Sequence, residues 1–176
     1  VNSYRVGEIG FGDLLRSVGA VEGIDRIRFT SPHPAEFDTD TIAAMAQTPE
    51  VCPYVHLPVQ SGDTDMLRSM RRDYTAEQYL DIVRHLREAI PNVAVSPVLL
   101  AGFCGETDQQ FERTVHLMES VRFDFAFMFK YSARDGTVSA RSMNDDVPDD
   151  VKGARLRAVI DLQERISAEI YAEQVG

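Results

Sequence analysis

Val55-His56-Leu57-Pro58-Val59-Gln60-Ser61-Gly62 is the stretch whose reading decides the fold. It is apolar and strand-like, then stops at polar groups. Pro53 and Pro58 cannot donate ladder hydrogen bonds, so the strand is irregular where it ends and can present polar side chains into a cavity. Thr30-Ser31-Pro32-His33-Pro34 upstream and Met70-Arg71-Arg72-Asp73-Tyr74-Thr75 downstream have the same character, with polar groups where a regular run gives way to a turn. In a barrel of alternating strands and helices, those positions line the active-site mouth. Strand-like runs at 27–30, 54–59, 93–103 and 123–131 alternate with helical patterns, which predicts parallel strands joined by crossover helices. The expected fold is α/β, a partial parallel (β/α) barrel, incomplete at its N-terminal strands.

Helix starts are legible. Thr75-Ala-Glu-Gln78 and Thr107-Asp-Gln-Gln110 are capping boxes, each followed by apolar residues at helical spacing. A last helix is expected over 148–174, opening on Pro148-Asp149-Asp150, an arrangement that suits a first turn. Its length predicts a lead into a further domain. In the run 123–131, two-residue alternation places Phe123, Phe125, Phe127, Phe129 and Tyr131 on one face. That face is read as core packing, because exposed aromatic ladders are much rarer than buried ones. Lys130 points the other way, toward the expected barrel mouth.

A chain of 176 residues can bury a real core, and one domain over 1–176 is expected. No apolar run approaches the length of a membrane span, so no membrane partner is expected. The first residue is Val1, within a strand-like end, which points to a fragment. Two cysteines, Cys52 and Cys104, suit a reducing cytoplasm. They and the scattered histidines make neither a zinc nor an iron–sulfur ligand set, so no metal ligand is assigned. The net charge of −10 argues against this segment being the main grip on nucleic acid, although Arg68, Arg71, Arg72, Arg84 and Arg87 make the middle locally basic.

Candidate binding residues follow from chemistry at strand ends. Gln60 offers two donors and an acceptor, suited to the ribose or amino-acid part of an adenosylated ligand. Arg72 can form a forked contact with a carboxylate, whereas Arg71 reads as a surface arginine. His33, held extended between two prolines, is a substrate-side candidate, as is Lys130. Gly102-Phe103-Cys104-Gly105-Glu106-Thr107 joins a strand to a capped helix and lets backbone approach a ligand.

Arg28-Phe29-Thr30-Ser31-Pro32-His33-Pro34, His56-Leu57-Pro58-Val59-Gln60-Ser61-Gly62, Met70-Arg71-Arg72 and Phe129-Lys130-Tyr131-Ser132 together resemble the radical-SAM core of the MiaB-type tRNA methylthiotransferases. The resemblance runs over almost the whole chain. It implies a transferase that adds a methylthio group to the isopentenylated adenosine beside the anticodon. It also implies S-adenosyl-L-methionine and 4Fe-4S clusters as cofactors, the cluster ligands lying outside this chain, so that the fragment alone is expected to be inactive. An electron donor for cluster reduction is a further implied partner, with tRNA bound through domains missing here. By similarity, Gln60 and Arg72 contact S-adenosylmethionine, Asn2 and Ser61 lie near its adenosyl part, and the turn from Gly102 closes one side. Relatives of that family carry Ser-Thr-Asp where this chain reads Ser96-Pro97-Val98, and Pro in place of Cys104. Losing one charge-assisted hydrogen bond at Val98 costs about 1.5–3 kcal/mol. The alternative reading is therefore a non-catalytic, decayed paralogue serving as an RNA-associated scaffold; an unrelated metabolic barrel enzyme fits the fold but none of the motifs.

Overall fold

Proline and glycine punctuation breaks the chain into short strands and longer helices, and the computed structural model describes residues 1–174. Two compact units are distinguished, each discontinuous in sequence. The first comprises Val1–Pro58 and Glu77–Ser96, the second Val59–Ala76 and the chain from Pro97 onward. The final two residues of the expected 1–176 span lie outside the described residues.

In the first unit, helix α1 (Phe11–Gly19) and helix α2 (Thr39–Gln47) pack together, α2 starting at Asp38, whose carboxylate accepts from the Thr41 N–H. Phe11 stands edge-on to Phe29 with ring centroids 5.1 Å apart. Strand β1 (Tyr54–His56) pairs in parallel with β2 (Ala94–Ser96), placing His56 opposite Ser96. Helix α4 (Ala76–Ala89) connects them and buries Tyr79, Val83 and Leu86, as the apolar spacing requires. The expected strand at 27–30 is reduced to two isolated parallel bridges, Ile27 to Val51 and Thr30 to His56. The first of the two joins the chain to Val51, before β1 begins, so no continuous ladder forms.

In the second unit, strand β3 (Val98–Ala101) pairs in parallel with β4 (Phe127–Lys130). The single expected strand at 93–103 is broken at Pro97, which lacks the N–H a ladder needs: β2 ends at Ser96 and β3 begins at Val98. Helix α5 (Asp108–Val121) carries the capping box read from sequence, Thr107 accepting from Gln110 N while Gln110 reaches back to Thr107 N. Short helices α3 (Thr64–Ser69) and α6 (Val138–Ser142) and the long α7 (Asp149–Gln174) complete the unit. Val159, Leu162 and Ile166 form the buried stripe of α7.

The aromatic run corrects the sequence reading. Phe123 and Tyr131 are buried, but Phe125, Phe127 and Phe129 are 38%, 46% and 53% exposed. Two reasons account for this. Regular strand geometry covers only Phe127–Lys130, so the alternation does not carry back to Phe123 and Phe125. Within β4, helix α7 packs against the strand while Phe127 and Phe129 alternate onto a face that stays open among the described residues.

Gly62 is needed for close approach. A Cβ there would strike the backbone carbonyl of Arg113 and come within 2.6 Å of Thr114 Cα, so α5 would have to withdraw. Gly62→Ala is expected to destabilise the protein by about 1–3 kcal/mol. Thermal unfolding checks this, and an unchanged melting temperature would show that α5 yields without cost.

Candidate functional site

The run that ends β-structure before α3 is anchored from several sides within the second unit. Gln60 N donates to Val98 O at 2.8 Å and Leu100 N donates to Gln60 O at 2.9 Å. The Tyr74 hydroxyl donates to Val59 O at 3.1 Å, and burial pushes that hydroxyl up to about 12. The next three residues are tied to α5. Ser61 Oγ lies 3.3 Å from Thr114 Oγ1, Gly62 N donates to Thr114 Oγ1 at 2.9 Å, and the buried Asp63 accepts from Gln110, Arg113 and the Met66 N–H. Desolvation favours a neutral Asp63, but these donors outweigh it and hold the carboxyl below its ordinary range. The anchoring forces Gln60 into the left-handed region (φ 73°), where a residue with a Cβ is strained by about 1–2 kcal/mol.

Helix α3 ends in a Schellman motif: Arg71 N donates to Arg68 O at 3.0 Å and Arg72 N to Leu67 O at 2.9 Å. Arg71 occupies its left-handed position (φ 58°), where glycine is the usual residue. Gln60 and Arg71, both strained, line one cavity of about 450 Å³. Arg68, Arg72, Leu100, Phe103 and α6 complete it, with Ser139, Ser142 and Met143 facing in, and its lining contains no carboxylate. Arg72 Nε is sealed from solvent and has no hydrogen-bond partner. Neither guanidinium of Arg71 and Arg72 has an acidic partner among the described residues, whereas Arg68 is paired with Asp65. Such a set can receive an anionic, hydrogen-bonding ligand of small-molecule size.

The other residues singled out from sequence fall elsewhere. Ser61 is fully buried and its hydroxyl is engaged with Thr114 and Asp63 N, so it holds the turn. Gly102 (φ 74°) is buried, donates to Glu106 Oε2 at 2.7 Å, and leaves no room for a Cβ beside the Lys152 side chain. Lys130 is exposed and bidentate to Asp149 at 2.7 and 2.9 Å, and this ammonium holds the Asp149 carboxyl below its ordinary range. In the first unit, the buried Asn2 clasps the backbone of His33, its Nδ2 donating to His33 O (2.9 Å) and its Oδ1 accepting from His33 N (2.8 Å).

One cluster escaped sequence reasoning. Ser96 Oγ lies 2.8 Å from the Tyr54 hydroxyl and 3.0 Å from His56 Nδ1. Burial pushes the His56 imidazole down from its ordinary value. Only the β1–β2 register brings these residues together, and nothing local signals it.

Residues 8–118 match the family model of the Radical SAM superfamily. The chain belongs to that superfamily. Over its full length this radical SAM chain is 51% identical to the tRNA-2-methylthio-N(6)-dimethylallyladenosine synthase of Thermobifida fusca and 50% identical to that of Porphyromonas gingivalis. It spans only 36% and 39% of those two relatives. Among solved structures, coproporphyrinogen III oxidase of Escherichia coli, a radical SAM enzyme, superposes with a TM-score of 0.65 at 19% identity, over 77% of this chain and 31% of that one. That likeness shows the fold, the partial parallel (β/α) barrel expected from sequence.

Membership brings S-adenosyl-L-methionine and a 4Fe-4S cluster as the superfamily's cofactors. The cavity suits the first: Arg72, its buried Nε without a hydrogen-bond partner, can fork onto a carboxylate, and the Gln60 amide shares the same lining. This radical SAM chain does not suit the second. Cys52 belongs to the first unit and Cys104 to the second, and the described residues contain no cluster of three His, Cys, Asp or Glu side chains placed to hold a metal ion. Among the described residues, no helix is long and apolar enough to cross a membrane.

Proposed function

We propose that residues 1–176 form the S-adenosylmethionine-binding part of a radical SAM tRNA methylthiotransferase, a cytoplasmic transferase acting on the modified adenosine beside the anticodon. The Arg72 Nε, buried without a hydrogen-bond partner in a cavity that Arg72 shares with Gln60 and whose lining holds no acid, carries this reading. Relatives named for that synthase at about half identity support it. Arg72 receives the ligand's carboxylate in a forked contact, and Gln60 offers donors and an acceptor to its polar groups. The Ser61-Gly62-Asp63 turn and Tyr74 keep Gln60 in its strained conformation, so the donors are positioned before the ligand arrives. The turn from Gly102 closes one side of the site, as similarity suggests. Bound S-adenosylmethionine supplies the adenosyl and methyl groups of the reaction. No step is assigned to a cluster, for which these residues provide no ligand set.

Arg72→Ala is expected to weaken S-adenosylmethionine binding about 10- to 100-fold, the loss of one charge-assisted contact of about 1.5–3 kcal/mol. Arg72→Lys keeps the charge but not the fork and recovers only part of the loss. Calorimetric titration of each variant measures this. Equal affinity in wild type and Arg72→Ala would sink the reading, as would a wild-type chain that binds none of the ligand.

A further inference from the structure

We propose that Arg71 is a contact for an RNA backbone phosphate at the mouth of the Gln60–Arg72 cavity. This inference rests on the reading above and names the substrate chemistry met by the same site.

Three observations converge on Arg71. First, it occupies the left-handed position of the α3 Schellman motif (φ 58°), where glycine carries no steric penalty. Second, the Arg71 guanidinium makes no ion pair among the described residues, and left-handed non-glycine positions of this kind cluster at ligand sites. Third, the cavity lining holds arginines and no acid, the Asp65 partner of Arg68 lying outside it. Arg68, Arg71 and Arg72 line the cavity with no carboxylate among the lining residues, in a chain whose net charge is −10. A polyanion repelled by most of this surface finds complementary charge at this mouth.

The two neighbouring arginines differ in a way that separates their ligands. Arg72 is half-buried with Nε sealed from water, which suits a group that enters the cavity. Arg71 is exposed, which suits an anion that stays in solvent and passes the opening. A phosphodiester strand delivering its base toward the cavity has that form: the base goes in and the phosphate remains at the rim. Arginine matches phosphate oxygens with two parallel N–H donors.

The test uses Arg71→Gly, which keeps the left-handed turn and removes only the side chain. A fluorescent single-stranded RNA octamer is titrated into wild type and variant across a series of KCl concentrations. The expected result is a shallower dependence of log K on log salt, by about 0.7 for one lost phosphate contact, with affinity falling about three- to ten-fold near 0.1 M salt. The variant is expected to melt at the same temperature or about 2–4 °C higher, since glycine relieves the strain, so weaker binding cannot be ascribed to misfolding. An unchanged salt slope would overturn the proposal. So would polyglutamate binding with the same slope and the same loss on Arg71→Gly, which would make the site one for carboxylates. Competition by inorganic phosphate in wild type but not in Arg71→Gly would support it. S-adenosylmethionine titrated into wild type reports separately: its failure to bind would overturn the cofactor reading of the cavity, while the salt slopes still decide Arg71.

Discussion

Replacing Arg155 with methionine is expected to destabilise the second unit by about 3–5 kcal/mol at neutral pH, the usual cost of orphaning a buried charge. The Arg155 side chain is 8% exposed and that of Glu106 1%. Its Nη1 donates to Glu106 Oε2 at 2.9 Å and to Glu106 O at 3.0 Å, and Nη2 to Asp108 Oδ1 at 2.7 Å. The guanidinium also lies over the Phe111 ring, 5.5 Å from its centroid. Methionine preserves the apolar stem but leaves the Glu106 carboxylate with the Gly102 N–H alone. Burial already holds the Glu106 carboxyl above its ordinary range despite the arginine, and removing the cation raises it further.

The pH dependence follows from that direction. A carboxyl whose folded value exceeds its unfolded value binds more protons when folded, so stability rises as pH falls through that window. The deficit of Arg155→Met is therefore expected to be smaller at about pH 5 than at about pH 7, because the raised Glu106 carboxyl takes up a proton more readily as pH falls. Urea unfolding at both pH values measures it. A deficit below about 1 kcal/mol, or one independent of pH, would show that the pair is not the buried, uncompensated system described. Adding Glu106→Leu should restore most of the loss, since an apolar pair of similar volume stands in well for a buried ion pair.

Asp63→Ala is expected to cost about 2–4 kcal/mol, combining the loss of a helix cap with that of a buried, charge-assisted contact. Asp63 is 1% exposed, and one oxygen caps α3 through the Met66 N–H (2.8 Å) while also accepting from Gln110 Nε2 (3.0 Å). The other oxygen pairs with Arg113. Arg113 is about half exposed, so water recovers part of its charge and keeps the cost below that at Arg155. The folded carboxyl lies below its ordinary range, so its contribution is fully present above the unfolded value near 3.9 and is lost as pH falls through the lower folded value. The gap between wild type and Asp63→Ala should accordingly narrow below about pH 4, the opposite direction to Arg155→Met. Thermal unfolding across pH 3–7 distinguishes the two. Because Asp63 also anchors the turn after Gln60, the variant is expected to bind S-adenosylmethionine more weakly even at temperatures where it is fully folded.

What could be read directly from the residues was local. The Thr107–Gln110 capping box and the start of α7 after Pro148 depend on neighbours three or four residues away. Gln60 and Arg72 stand out in the sequence because both lie where regular structure stops, and both line one cavity. Tertiary structure decided the rest. Ser61 has the composition of a ligand contact, yet its hydroxyl is occupied by Thr114, 53 residues on. Phe125, Phe127 and Phe129 have the alternation of a core face, yet lie open, since only the packing of α7 determines which side of β4 is covered. Ser96 reaches His56 through a strand register that no local pattern encodes. Periodicity and capping arise from interactions within one turn or one strand and are written in adjacent residues. The His56–Ser96, Ser61–Thr114 and Arg155–Glu106 contacts arise between segments 40 or more positions apart, and only the folded chain selects which segments meet.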